Sequence, residues 1–195
     1  MTGDERRQRI LGTALEVFIR YGYRRATMGD IAREVGMSRP ALYLVFPSKE
    51  ALCREAAEMA LDASLGEIEA GLAAQSSLEA RLRHVFEIWS VRSFELVARS
   101  PDAQEMMTAS YDFMTDVLER ASQRLARILA GVIRDAIAEP DDLRPSAEAR
   151  ARILIASAHG FKSEARDADD MRALVDDLVS IVAAGLQVKA GEQAP

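Results

Sequence analysis

The sequence has one cysteine, Cys53, and two histidines, His84 and His159. A lone cysteine excludes an intramolecular disulfide framework and leaves no Cys-x-x-Cys pair for zinc or redox chemistry. With neither a second cysteine nor a nearby histidine, Cys53 reads as a small buried hydrophobe. A ferritin-like metal centre needs a glutamate three residues before a histidine on two helices. Here Arg81 stands before His84 and Ala156 before His159 at that spacing, so the signature is absent. A glycine-rich phosphate loop and a nucleophile elbow are missing too. There is no signal peptide and no apolar run long enough to cross a membrane, and the expectation is a cytoplasmic chain. These absences point away from an enzyme and from any cofactor or metal.

What the sequence has is helical patterning and an uneven charge. Its 195 residues, 49% of them hydrophobic, suffice for one or two small domains with a sizeable core. The net charge is −6, which is unexpected for a nucleic-acid binder until it is divided along the chain. Residues 1–55 hold ten Lys and Arg against seven Asp and Glu, net +3; residues 56–195 hold fifteen against twenty-four, net −9. Positive charge is concentrated at the start of the chain, and the acidic remainder discourages indiscriminate binding to nucleic acid.

The same N-terminal region contains the most informative stretch, TMGDIAREVGMSRPALYLVFPSKEAL from Thr27 to Leu52. Thr27 is placed to cap a helix with Asp30 reaching back to it, and Ile31, Ala32 and Val35 share one face of the helix Met28 to Val35. Gly36 then permits the left-handed turn that ends it. Ser38 caps a second helix, Arg39 to about Phe46, with Pro40 in its first turn. Leu42 and Phe46 point inward, leaving Arg39, Pro40, Ala41, Tyr43 and Leu44 toward solvent or a partner. Pro47 and Ser48 end that helix and start the next, where Lys49 lies beside free backbone N–H groups as a natural phosphate clamp. Two short helices joined by a glycine turn form a helix-turn-helix, with the second helix offering its N-terminal edge to DNA bases. Upstream, the stripe Ile10, Leu11, Ala14, Leu15 and Phe18 marks an opening helix, Asp4 to Tyr21, stopped by Gly22. Arg6, Arg7, Arg9, Arg24 and Arg25 read as solvated helix charges, with phosphate contacts as the competing reading.

The run GMSRPALYLVFPSKEAL, with Phe18 and Gly22 before it and TMGDIA between, resembles the TetR family of one-component bacterial repressors. The resemblance covers about the first quarter of the chain; beyond it, length and helical pattern alone agree. It implies an all-α protein made of a helix-turn-helix domain over 1–50 and a ligand-sensing and dimerisation domain over 51–195. It implies phosphate contacts at Thr27, Tyr43 and Lys49 and base contacts at Arg39, Pro40 and Ala41. Ser38, the helix cap at the same edge, completes the DNA-binding set. Gly29 departs from the pattern, for many members carry a base-reading arginine there. Leu44 and Val45 replace bulkier aromatic or imidazole side chains, which leaves Arg39 as the main candidate for reading guanine.

From Ser48 a long helix runs through Leu52, Ala56, Met59 and Ala63 to about Ala74, its far end weakened by Gly66 and Gly71. Ser76 to Glu79 form a capping box for a helix to about Arg99, and Ser100-Pro101-Asp102 restarts the chain. A short helix from Ala103, with a break near Ser110, leads into a long one ending before Pro140. Two further helices follow, Ser146 to about Arg166 and Asp169 to about Lys189. In the first, Ala147, Ala151, Leu154, Ala158 and Phe161 form one face, while Ile153, Ser157 and Gly160 form a second face of small residues. The last helix is apolar on more than one face and needs two partners, its own core and another subunit. Family members dimerise through this pair. Two readers in a homodimer match a palindromic operator on double-stranded DNA.

The resemblance also implies a small-molecule effector between the middle helices. Candidates are Met59, Phe86, Trp89, Met107, Tyr111 and His159, with Met106 and Phe113 beside them. Each has a plainer reading as ordinary core. Their apolar character favours a hydrophobic or aromatic effector. The alternative to a DNA-binding regulator is a helix-turn-helix used only for protein interaction, without specific DNA binding.

Overall fold

The structure is a computed structural model that describes residues 2–98, 112–136 and 145–191, with backbone alone for Asp112 and 186–191. Every regular element among the described residues is helical: α1 Gly3–Tyr21, α2 Met28–Val35, α3 Arg39–Tyr43, α4 Lys49–Leu72, α5 Leu78–Phe86, α6 Arg92–Ala98, α7 Thr115–Asp135, α8 Ala147–Glu164 and α9 Ala168–Gly191. A π turn, Glu87–Val91, joins α5 to α6, and a 3₁₀ turn, Asp112–Met114, precedes α7. The chain forms two compact units, Met1–Ala63 with Leu96–Glu119, and Ser64–Glu95 with Arg120–Pro195. Compactness divides the chain within α4, between Ala63 and Ser64.

In the first unit, α1 starts one residue earlier than its apolar stripe suggests. Thr2 is the N-cap: its Oγ1 accepts from the Glu5 N–H at 3.2 Å, and Glu5 Oε2 accepts from the Thr2 N–H at 2.8 Å. This reciprocal box satisfies two of the four amides that every helix start leaves unpaired. Ile10, Leu11, Ala14, Val17 and Phe18 of α1 join one core with Ile31, Ala32, Val35, Leu42, Phe46, Leu52 and Ala56. Leu15, expected in the stripe, is partly buried at the margin of that core, and Val17 lies within it. The core thus brings together α1, both helix-turn-helix elements and the start of α4.

In the second unit, Leu65, Ile68, Leu82, Phe86, Leu125, Leu129 and Ile133 are fully buried. The last helix, α9, packs on α5, on the π turn and on α8, burying Met171, Val175, Val179 and Ala183. The capping box expected from Ser76 to Glu79 does not form. Ser77 is the N-cap, its side chain accepts from the Ala80 N–H at 3.1 Å, and Glu79 falls in the first turn instead of closing a box. Gly71, read from sequence as a weak point, has a packing role. A Cβ there would lie 2.3 Å from ring atoms of His84, whose Nε2 donates to the Ile68 carbonyl oxygen at 3.2 Å. The bare backbone at Gly71 admits the imidazole against α4.

Candidate nucleic-acid interface

The reader begins at a turn that glycine makes possible. Gly22 ends α1 at φ 78°, where L side chains are strained, with its N–H donating to the Phe18 carbonyl at 2.9 Å. Thr27 then caps α2. Its Oγ1 accepts from the Asp30 N–H at 3.2 Å, while the Asp30 carboxylate accepts from the Thr27 N–H at 3.1 Å and from the Thr27 hydroxyl at 2.6 Å. The Thr27 hydroxyl and N–H, with help from the nearby Arg33 guanidinium, hold the Asp30 carboxyl below its usual range. In this arrangement the hydroxyl proton that a DNA phosphate would attract is already given to Asp30.

Gly36 ends α2 in the left-handed conformation, φ 77° and ψ 37°, and the Met37 N–H closes the turn on the Ala32 carbonyl at 2.9 Å. Ser38 caps α3 by accepting from the Ala41 N–H at 3.3 Å. Arg39, Pro40 and Tyr43 are exposed and Ala41 is half-buried, while Leu42 and Phe46 are fully buried. The exposed Arg39 guanidinium lies 5.6 Å from the Tyr43 ring centroid. α3 ends at Tyr43, sooner than the expected Phe46. The chain tightens there, with both Val45 and Phe46 N–H groups on the Leu42 carbonyl, because Pro47 disfavours helical backbone in the residue before it.

Lys49 departs from the expected picture of a free clamp. Its ammonium donates to the carbonyls of Tyr23 at 2.8 Å, Ala26 at 3.1 Å and Arg24 at 3.4 Å, and sits 4.3 Å from the Tyr23 ring centroid. All three of its protons are used to hold the turn between α1 and α2.

Two arginines read as solvated or phosphate-facing also make contacts within the reader. Arg7 makes a two-pronged pair with Glu55, at 3.1 Å from Nε and 2.5 Å from Nη2, and lies over the Phe46 ring at 4.4 Å. Arg9 donates to the Val35 carbonyl at 2.9 Å, satisfying the open C-terminal end of α2. The chain near Phe113 also belongs to this unit. Its ring lies 5.2 Å from that of Tyr23, its carbonyl accepts from Arg54 at 2.8 Å, and Arg54 pairs with Asp116. Phe113, an effector candidate from the sequence, packs on Tyr23 at the start of the reader. No sequence spacing links residue 23 to residue 113, so that contact was not legible beforehand. Burial pushes the Cys53 thiol up to about 12, against the pull of Lys49, in keeping with an inert core cysteine.

The remaining effector candidates are placed as follows. Met59 packs against the reader's core, Phe86 is fully buried, Trp89 is half-buried, and His159 is exposed on α8. His159 is outward because it follows Ala158, which is buried on the inner face; the next residue of a helix is turned about 100° away. Met106, Met107 and Tyr111, with the short helix from Ala103, lie outside the described residues. The second unit has an open cleft of about 460 Å³ along α5, the π turn and α9, bordered by Arg83, His84, Glu87, Arg92, Arg172 and Asp176. Ala80, Ile88 and Val175 also line it, so its lining mixes charged and apolar groups. Among the described residues no helix is long and apolar enough to cross a membrane.

Residues 10–56 match the family model described as bacterial regulatory proteins, tetR family. The chain is 29% identical over 134 residues to the HTH-type transcriptional regulator YfiR of Bacillus subtilis (strain 168), covering 62% of this chain and 65% of that one. It is 28% identical over 123 residues to the HTH-type transcriptional activator FasR of Mycolicibacterium smegmatis, covering 63% and 54%. The chain therefore spans less than two thirds of the length of either relative. Among solved structures, FadR of Bacillus subtilis in complex with stearoyl-CoA superposes with a TM-score of 0.67 at 18% identity, over 91% of this chain and 97% of that one. That likeness concerns the fold. Residues 10–56 thus match a tetR-family reader, and the chain is similar to bacterial HTH-type transcriptional regulators.

Proposed function

We propose that the protein represses transcription as a homodimer on a palindromic operator and is released by a small hydrophobic or aromatic effector. The observation that carries the DNA-binding half is the exposed N-terminal edge of α3, where Arg39 presents its guanidinium beside Pro40 and Ala41 on a rigid, capped turn. Arg39 pairs with guanine, Pro40 and Ala41 lie against neighbouring bases, Ser38 and Tyr43 follow the phosphates, and Thr27 reaches a phosphate by turning its hydroxyl proton from Asp30. Lys49 contributes through the turn it holds.

The dimer is supported by the outer faces of α8 and α9. Ile153 is 55% and Ile181 71% exposed, and Ala156, Gly160, Ala184 and Gly185 are exposed with them. Apolar and small residues bare on a pair of helices allow close approach of a second pair. Two readers spaced about 34–36 Å apart would then enter successive major grooves.

The effector class is supported by fold likeness to a regulator solved with stearoyl-CoA. An effector works as a population shift, favouring a state whose readers no longer fit successive grooves. Activation is the second reading, favoured by the relative named as an activator.

Titrating a random-sequence duplex at rising salt, with sedimentation of the free protein alongside, tests the proposal. A dimer whose DNA affinity falls steeply with salt is expected. A monomer with no salt-dependent binding would favour the interaction-module reading.

A further inference from the structure

Leu44 is 89% exposed, the most exposed large hydrophobic side chain among the described residues. One exposed leucine is ordinary on a protein surface; what matters is its position. Its N–H donates to the Pro40 carbonyl at 3.2 Å, which places it one helical turn beyond Pro40 on the same side of α3. Arg39 and Tyr43 form the adjacent row, while Leu42 and Phe46 hold the opposite side in the core. Leu44 therefore stands just past the end of α3, on the same side as Pro40, and makes no part of the packing that builds the reader.

A leucine offers no hydrogen bond to a phosphate or to a base edge. In the major groove the apolar group that distinguishes one base from the others is the C5-methyl of thymine. Gly29, at the start of α2, adds no side chain to the reader, and a Cβ there would meet nothing nearer than Thr27 Oγ1 at 3.5 Å. Direct readout by this reader thus rests on one charged fork and a row of apolar groups. We infer that Leu44 is a specificity-determining residue that reads a thymine methyl, so that each operator half-site pairs the guanine taken by Arg39 with a thymine taken by Leu44. This inference rests on the DNA-binding function proposed above.

The test is selection from a random-sequence duplex library by the full-length protein and by Leu44→Ala, followed by affinity measurements on the enriched site with deoxyuridine in place of single thymidines. Deoxyuridine deletes the methyl and keeps the base pairing. The expected result is one thymine per half-site whose methyl is worth about three- to fivefold in affinity, the scale of one buried methyl group. Leu44→Ala should lose that sensitivity and keep the guanine preference. Leu44→Met, which restores apolar reach, should recover part of it. Uracil-indifferent binding by the parent protein, or a Leu44→Ala protein that selects the same site with the same methyl sensitivity, overturns the inference and leaves DNA binding standing. Enrichment of no site overturns the DNA-binding proposal and this inference with it.

Discussion

At the scale of single residues, the reader separates side chains that face out from side chains that hold it together. Arg39 is the outward one, exposed and braced by Tyr43. Arg39→Ala should cost about 1–3 kcal/mol on a cognate site and relax the preference at one base pair, measured by equilibrium binding to cognate and scrambled duplexes. Equal losses on both duplexes would show that Arg39 reads no base. Lys49 is the inward one. Removing its ammonium leaves three carbonyls of the turn without their partner, two of those hydrogen bonds being partly buried. Lys49→Met should therefore lower stability by about 1–3 kcal/mol in denaturant titrations, with DNA affinity falling as the reader loosens. Unchanged stability with a shallower salt dependence would instead mark Lys49 as a phosphate clamp. The sequence shows why these two are harder to separate than to find. A lysine in a helix's first turn looks the same whether its ammonium points to solvent or back across the turn, and the carbonyls that capture it lie over twenty residues earlier in the chain.

At the scale of elements, local chemistry was legible wherever one residue sets the backbone. Thr27, Asp30 and Gly36 delimit α2 at the residues their chemistry indicates, and Gly36 has open space around its Cα, so conformation alone argues for glycine. Gly36→Ala should destabilise the protein by about 1–2 kcal/mol, the strain of a left-handed alanine, read as a lowered Tm. An unchanged Tm would mean that the turn tolerates a side chain and that α2 and α3 owe their angle to packing. Legibility failed where equivalent residues compete. Ser76 and Ser77 are both good caps, and the chain uses the second, which carries Glu79 out of capping register. It failed again at the π turn of Glu87–Val91, since no residue type demands that widening. α9 packs against it. Ser90, in that turn, is buried with its hydroxyl unpaired among the described residues. The effector candidates were the least legible part. A methionine or aromatic at helical spacing looks alike whether it lines a cavity or fills a core. Met59 and Phe86 are in fact buried or packed against core, while His159 is exposed on α8.

At the scale of the whole molecule, the account requires two copies. A single reader grips too few bases and phosphates to select a site, and α8 and α9 carry Ile153 and Ile181 bare. Ile181→Glu should shift the sedimentation of the protein toward the monomer and reduce affinity for a two-site duplex far more than for one half-site. A variant that stays dimeric would place the interface elsewhere. The charge division has a consequence at this scale as well. The net +3 of residues 1–55 favours an approach to DNA, and the −9 of residues 56–195 disfavours it for the rest of the chain. The most direct measurement is selection of bound fragments from sheared genomic DNA by the purified protein at physiological salt, followed by sequencing. The account predicts recovery of a palindrome whose half-sites are spaced by one helical turn or a multiple. Recovery of nothing above background, by a protein shown to be folded and dimeric, would contradict it.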